Sequence, residues 1–181
     1  NIDVYKHAWH VADAVAQLRA SGLPVVLDLV GPAYLPALRR LRRTLDRVDP
    51  TGAVVRYRGA VPYSELHTRY EKADLAVFAS SCENMPNILL EGMASGLAIA
   101  CSDRGPMPEV LGGEGVYFDP EDPSDIVRAL RKLIESPELR NRTAKASFER
   151  SQSFSWHRCA TTTFDFLAAT ANRHKQRRGR P

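Results

Sequence analysis

No stretch of this chain is apolar for the roughly 18–20 consecutive residues that a membrane-spanning helix needs, and no basic-then-apolar leader opens it. Its three cysteines, Cys82, Cys101 and Cys159, are odd in number and widely spaced, with no Cys-x-x-Cys pair. That spacing argues against a disulfide framework or a zinc site and fits a reducing, cytoplasmic setting. An Asp-x-Asp pair of the kind that holds a divalent metal is missing, as is any internal repeat. The opening "NIDVYKHAWH" has no initiator Met and enters a helical pattern almost at once. It reads as a fragment or excised domain whose first strand has been cut short.

What is present is an ordinary globular composition: 181 residues, 44% hydrophobic and 25% charged, with a net charge of +4. That length suits one domain with a sizeable core. Part of the positive charge is local, because "RHKQRRGRP" at the C-terminus carries five Lys and Arg residues and no acid. The expectation is one domain over residues 1–171 and a basic, disordered tail over 172–181.

Hydrophobic periodicity alternates along the chain. Val11, Ala14, Val15 and Leu18 share a helical face that Gly22 terminates, and "PVVLDLVG" then reads as a strand buried on both faces. A helix striped by Leu35, Leu38, Leu41 and Leu45 precedes the strand "AVVRYRG", and the helix "YSELHTRYEKA" precedes "ADLAVFAS". The helix "PNILLEGMAS", the strand "LAIACS", the short helix "MPEVL" and the strand "GVYF" follow. After the turn cluster "DPEDPSD" comes a helix with Ile126, Leu130, Leu133 and Ile134 on one face. Ser136 with Pro137 marks a further helix start, and "SFSWHRCATTTFDFLAAT" supplies the last helix. Strands alternating with helices predict an α/β fold with a doubly wound parallel sheet of Rossmann-like type. Such sheets bind ligands at the carboxyl ends of their strands. The loops of interest are therefore 31–33, 59–63, 80–87 and 102–108.

The segment "SSCENMPNILLEGMASG" is one of these strand-to-helix loops. Pro86 suits the first helical position, so the amides of Asn87, Ile88 and Leu89 are expected to point into the cleft as an anion site. Glu83 precedes the helix and Glu91 lies inside it, so both can border one crevice. A helix-borne carboxylate can take two hydrogen bonds from a ribose diol. On this local pattern alone, the pair reads equally as a capped helix start with a solvated glutamate.

The wider block "SSCENMPNILLEGMASGLAIACSDRGPMPEVLGGEGVYFDPEDPSDIVRAL" resembles the nucleotide-sugar half of the family-4 type, retaining glycosyltransferases of the GT-B fold. The resemblance rests on Glu83, Glu91, Ala94, Gly96, Gly105 and Glu109 in order, and extends through "LDLVGP", "VRYRGAVPYSELHTRYEKADLAVFASS", "YKH" and "FSWHRCA" to about residue 170. It implies the donor-binding, C-terminal domain of a hexosyltransferase acting on a UDP- or GDP-linked sugar, with the N-terminal acceptor domain absent. Within that resemblance Glu91 binds the ribose, and Glu83 is the catalytic residue that orients the donor sugar. The amides of Met85, Pro86, Asn87 and Ile88 hold the distal phosphate, Lys6 neutralises the diphosphate, and Val61, Pro62 and Tyr63 flank the base. The family often carries an Arg five residues before that Lys. Here the position is Asn1, and Arg104 is a candidate replacement.

The implied transfer is metal-independent, needs no cofactor and retains configuration, because Lys6 and helix amides can stabilise the leaving nucleoside diphosphate. The fragment alone is expected to bind donor weakly and catalyse nothing. The resemblance implies a cytoplasmic parent, working peripherally at the inner face of a membrane on a lipid-linked or saccharide acceptor. No nucleic-acid partner is expected. The alternatives are a GT-B nucleotide-sugar epimerase and a non-catalytic basic module that binds nucleic acid.

Other features have plainer readings. His7 and His10 lie three apart without a third metal ligand, and Asp28 within a strand calls for a hydrogen-bond partner. The arginines from Arg39 to Arg47 read as a solvated helix face, with contact to nucleic acid or an anionic membrane as the alternative. Phe154, Trp156, Phe164, Phe166 and Leu167 read either as core or as a surface meant for the absent domain, through which the fragment can self-associate.

Overall fold

The structure, a computed structural model, describes residues 1–178, the last four of them as backbone only. A short 3-10 turn at Val4–Lys6 leads into α1 (Ala8–Ala20), β1 (Leu27–Leu29), α2 (Leu35–Val48), β2 (Val55–Tyr57), α3 (Tyr63–Glu71) and β3 (Leu75–Phe78). Then follow α4 (Asn87–Ala94), β4 (Ala98–Ser102), α5 (Met107–Leu111), β5 (Val116–Phe118), α6 (Pro123–Glu135), α7 (Pro137–Ser151) and α8 (Trp156–Arg178). Every strand pair is parallel. Order and type follow the periodicity of the sequence, as expected for a doubly wound α/β fold.

β4 explains why helices cover both faces. All five of its residues are buried, and successive side chains of a strand point to opposite sides. Ala98 and Ala100, with Val116 and Phe118 of β5, pack in one cluster with Val11, Ala14, Val15 and Leu18 of α1 and Ile126, Ala129, Leu130 and Leu133 of α6. Ile99 and Cys101 instead join Leu89 and Met93 of α4 and Met107, Val110 and Leu111 of α5. A third cluster sets Trp9 and Ala12 of α1 against Ala37 and Leu41 of α2 and Val55 of β2. α4 packs closely here: a Cβ at Gly92 would just meet Ile99 Cδ1, at 3.4 Å.

The ladder comes in two pieces, β1–β2 and β3–β4–β5, rather than as one continuous sheet. Between their carboxyl ends lies the N-terminal segment. Ile2 bridges Ala33 beyond β1, and the Ser81 amide beyond β3 donates to the Tyr5 carbonyl at 2.8 Å. No strand ladder joins the pieces directly; the N-terminal segment hydrogen-bonds to both, and Leu27, Leu75 and Val77 border the same cluster. β1 is also shorter and less buried than the run "PVVLDLVG" suggests. Asp28 stands exposed and pairs with Arg58 at 3.3 Å.

Two further expectations need correction. α4 begins at Asn87 with Pro86 as its N-cap, one position later than read from the sequence. α8 runs through Arg178, so the boundary expected at 172 falls inside a helix, and residues 179–181 lie outside the described residues. Of the late aromatics only Phe154 packs on the core; Trp156, Phe164, Phe166 and Leu167 are exposed along α8.

Candidate functional site

β3 ends in a chain reversal that turns into α4, and the N-terminal 3-10 turn lies against it. A cleft of about 210 Å³ opens there, lined by Lys6, Phe78, Glu83, Met85, Pro86, Asn87 and Ile88. Six of these seven were singled out from sequence; Phe78 was not. The fold thus gathers residues 6 and 83–88 at the carboxyl edge of the sheet, where doubly wound folds take ligands.

Lys6 Nζ and Glu83 Oε1 form an ion pair, both side chains only 14% exposed. Lys6 Nζ also lies 5.2 Å from the Phe78 ring centroid and 5.1 Å from that of Tyr5, within cation–π range. A cation held by one carboxylate and two ring faces is poorly hydrated. An arriving anion can displace Glu83 from it without stripping away much water.

The start of α4 supplies the second anion-binding element. Pro86 has no N–H, and the Asn87 amide donates to the Met85 carbonyl at 2.9 Å, so neither amide can meet a ligand as expected. Among the described residues, the amides of Met85, Ile88 and Leu89 have no acceptor. They are the usual orphan donors of a first helical turn. The helix ends tidily: with Gly96 at φ 70°, Gly96 N–H reaches the Met93 carbonyl at 3.0 Å and Leu97 N–H the Gly92 carbonyl at 3.3 Å. This left-handed cap closes α4 and starts β4.

Glu91 lies one turn deeper, outside the lining of that cleft, and accepts a hydrogen bond from Tyr70 Oη at 3.0 Å on its Oε2. Burial and the Glu91 carboxylate push the Tyr70 phenol well above its ordinary range, with a smaller contribution from Tyr63. Tyr70 was missed from sequence because a tyrosine in an amphipathic helix has no spacing relation to a glutamate 21 residues later. Tyr63 is 78% exposed at the first turn of α3, with Val61 half-buried just before it. Both stand at the carboxyl edge beside β2 and do not line the cleft around Lys6.

Arg104 does not reach this cleft. Its guanidinium pairs with Asp119 at 2.7 Å and Asp103 at 3.3 Å, which leaves it no free charge for a diphosphate. His7 and His10 stack 5.5 Å apart and bond Ser81 Oγ and the Pro120 carbonyl, each at 2.9 Å. No group of three His, Cys, Asp or Glu side chains among the described residues is arranged to hold a metal ion. In the arginine-rich helix, Arg40 stacks on Trp9 at 4.1 Å and Arg47 pairs with Asp13 at 2.7 Å.

A parallel, doubly wound unit with a cation, two glutamates and a helix N-terminus at its strand ends defines a Rossmann-like domain with a candidate anion site. The comparisons narrow this class. The family model described as glycosyl transferases group 1 matches residues 2–136, and the chain belongs to that family. It is 32% identical over 117 residues to sulfoquinovosyl transferase SQD2 of Arabidopsis thaliana, covering 62% of this chain and 23% of that protein. Over 123 residues it is 32% identical to a D-inositol 3-phosphate glycosyltransferase of Nocardioides sp., covering 67% of this chain and 27% of that one. The chain therefore spans about a quarter of the length of these curated relatives.

Among solved structures, Anabaena Alr3699/HepE in complex with UDP and glucose superposes with a TM-score of 0.81 at 19% identity, over 93% of this chain and 46% of that one. The C-terminal domain of the group 1 glycosyl transferase LpcC from Francisella tularensis gives 0.74 at 21% identity, over 84% and 80%. The fold is that of the C-terminal, Rossmann-like half of a GT-B glycosyltransferase.

Proposed function

We propose that this chain is the donor-binding half of a retaining glycosyltransferase that transfers a hexosyl group from a UDP- or GDP-linked sugar. One observation carries the reading: Lys6, Glu83 and the open amides of α4 converge on a single cleft at the sheet's carboxyl edge. In this reading Glu91 binds the ribose diol, with Tyr70 holding its other oxygen, and Val61, Pro62 and Tyr63 flank the base. The amides of Met85 and Ile88 meet the distal phosphate, and Lys6 leaves Glu83 to neutralise the diphosphate. Glu83, so released, orients the donor sugar.

Breaking the sugar–phosphate bond leaves an oxocarbenium-like sugar and a nucleoside diphosphate. Groups that favour the charge growing on the leaving group lower the barrier. Lys6 and the helix amides supply that stabilisation without a divalent ion or a cofactor. The acceptor, a lipid-linked or saccharide hydroxyl, sits on an N-terminal domain, so the isolated chain binds donor and does not turn it over. Of the relatives, Alr3699/HepE was solved with UDP and glucose, which favours a UDP-sugar as the first donor to try.

Calorimetric titration with UDP, GDP and their glucose and mannose conjugates in the presence of EDTA tests this reading. Micromolar to millimolar binding of one nucleotide class supports it; no heat with any of them overturns it. In the full-length enzyme, Glu83→Ala lowers kcat by roughly 100-fold or more, the scale of a lost group at a charged transition state. The product anomer, read by NMR, must match that of the donor.

The parent works in the cytoplasm, docked on the inner face of a membrane through the exposed Arg39, Arg42 and Arg43 of α2. Salt-sensitive sedimentation with anionic liposomes, lost on charge reversal of these three, is the expected result.

A further inference from the structure

His7 is the one non-glycine residue among the described residues with positive φ, at φ 47° and ψ 31°. A non-glycine residue is uncommon in this left-handed region, although histidine enters it more readily than most, and such positions collect at turns and functional sites. His7 directly follows Lys6 and is the N-cap of α1, its carbonyl accepting the His10 and Val11 amides at 2.9 and 3.2 Å. It is 6% exposed, packed edge-on against Trp9 and stacked on His10.

Its ring is tied to the loop that carries Glu83. Nε2 lies 2.9 Å from Ser81 Oγ, and the Ser81 hydroxyl lies 3.4 Å from the Tyr5 carbonyl, which also takes the Ser81 amide at 2.8 Å. The serine has one hydroxyl proton and directs it to the carbonyl, leaving a lone pair for an Nε2–H donor. Nδ1 is buried with no partner. A bare lone pair there is tolerable, whereas the opposite tautomer buries an unpaired N–H. Ser81 thus bonds the residues on both sides of Lys6.

We propose that His7 is a positioning residue for the diphosphate: its ring, clasped to Ser81, and its left-handed backbone set Lys6 beside Glu83 and the N-terminus of α4. This rests on the donor-site reading above. Protonation would place an N–H at Nδ1 with no acceptor. Burial and the neighbouring His10 hold the ring's pKa below its usual value; Arg40 from α2 acts in the same direction, while Glu121 and Asp119, in the turn after β5, oppose it. Acid therefore opens the clasp and loosens Lys6.

The test compares binding of UDP, GDP and inorganic pyrophosphate to the chain and to its Ser81→Ala, Ser81→Thr and His7→Gly variants between pH 5.5 and 8. Ser81→Ala removes only the clasp oxygen. It is expected to weaken binding roughly fivefold at pH 7.5 and to flatten the loss of affinity below pH 6.5, with Tm nearly unchanged. Ser81→Thr, which keeps the hydroxyl, restores both. The double variant of Ser81→Ala and His7→Gly loses no more than either alone. Wild-type affinity and pH profile in Ser81→Ala and His7→Gly overturn the proposal. If the unaltered chain binds none of the three probes, the donor-site reading fails, and the ring 15N spectrum decides the clasp. An Nε2-protonated ring resisting acid upholds it; an Nδ1-protonated or freely titrating ring overturns it.

Discussion

Tyr70 donates its phenolic hydrogen to Glu91 Oε2 at 3.0 Å, joining the last turn of α3 to α4. The bond occupies one carboxylate oxygen and fixes the plane of the group, so the other oxygen faces a ligand in a set direction. Tyr70→Phe is therefore expected to weaken ribonucleotide binding roughly three- to tenfold, the range of one ordinary net hydrogen bond. Glu91→Ala should cost more and also erase the preference for UDP over its 2′,3′-dideoxy analogue. Calorimetry with both nucleotides checks this.

Lys6 and Glu83 neutralise each other in the absence of ligand. Glu83→Gln keeps the shape and removes the competitor. In the isolated chain, affinity for UDP or GDP should rise severalfold, while kcat of the full-length enzyme falls by about 100-fold. Opposite movement of the two readouts is the signature of a carboxylate that competes for Lys6 before donor arrives and works on the sugar afterwards.

Stability should decline in two stages as the solution is acidified. Burial and His10 lower the His7 pKa, so the native state keeps its ring neutral where the unfolded chain has begun to protonate. The unfolded chain then binds more protons, and stability is lost as pH falls from about 6.5 through the folded value. The lowered carboxyls of Asp13, Asp49, Asp119 and Asp125 contribute stability that persists to about pH 4 and fades below it. Tm recorded from pH 8 to 3 should show both steps, with the upper one absent in His7→Asn.

Asp49, 6% exposed at the end of α2, accepts the amides of Ala53, Val54 and Val55 at 3.0, 2.9 and 2.7 Å. Burial alone would raise its pKa, and these three donors outweigh it. Asp49→Ala leaves buried amides of the β2 start unpaired and should cost about 3 kcal/mol in urea denaturation.

The exposed Trp156, Phe164, Phe166 and Leu167 of α8 form an apolar surface without a partner in the described chain. The isolated chain should associate at micromolar concentration in sedimentation velocity runs. Replacing Phe164, Phe166 and Leu167 by Ser should return it to monomer with Tm nearly unchanged, because α8 contributes nothing to the three core clusters.

Much of this was legible in the chain. Alternating apolar periods place the helices and strands that bury one face in the core. The order Glu83, Glu91, Gly96, Gly105 and Glu109 carries the family; residues 85–87 were nameable from their place in a loop at a strand end, whereas Lys6 was nameable only through the family resemblance. Pro86 illustrates the limit of local reading. A proline suits the first helical position or the cap before it, and only backbone geometry decides that Asn87 starts the helix and spends its own amide on Met85.

The sequence by itself determined the fold class and the set of candidate residues, since burial periodicity and glycine and proline placement are local properties of the chain. Tertiary structure alone decided which of them meet. It set Lys6 against Glu83 across 77 residues, gave Glu91 to Tyr70, tied Arg104 to Asp119 and clasped His7 to Ser81. Such pairings depend on how strands and loops distant in sequence pack at one sheet edge, and no spacing along the chain encodes that distance.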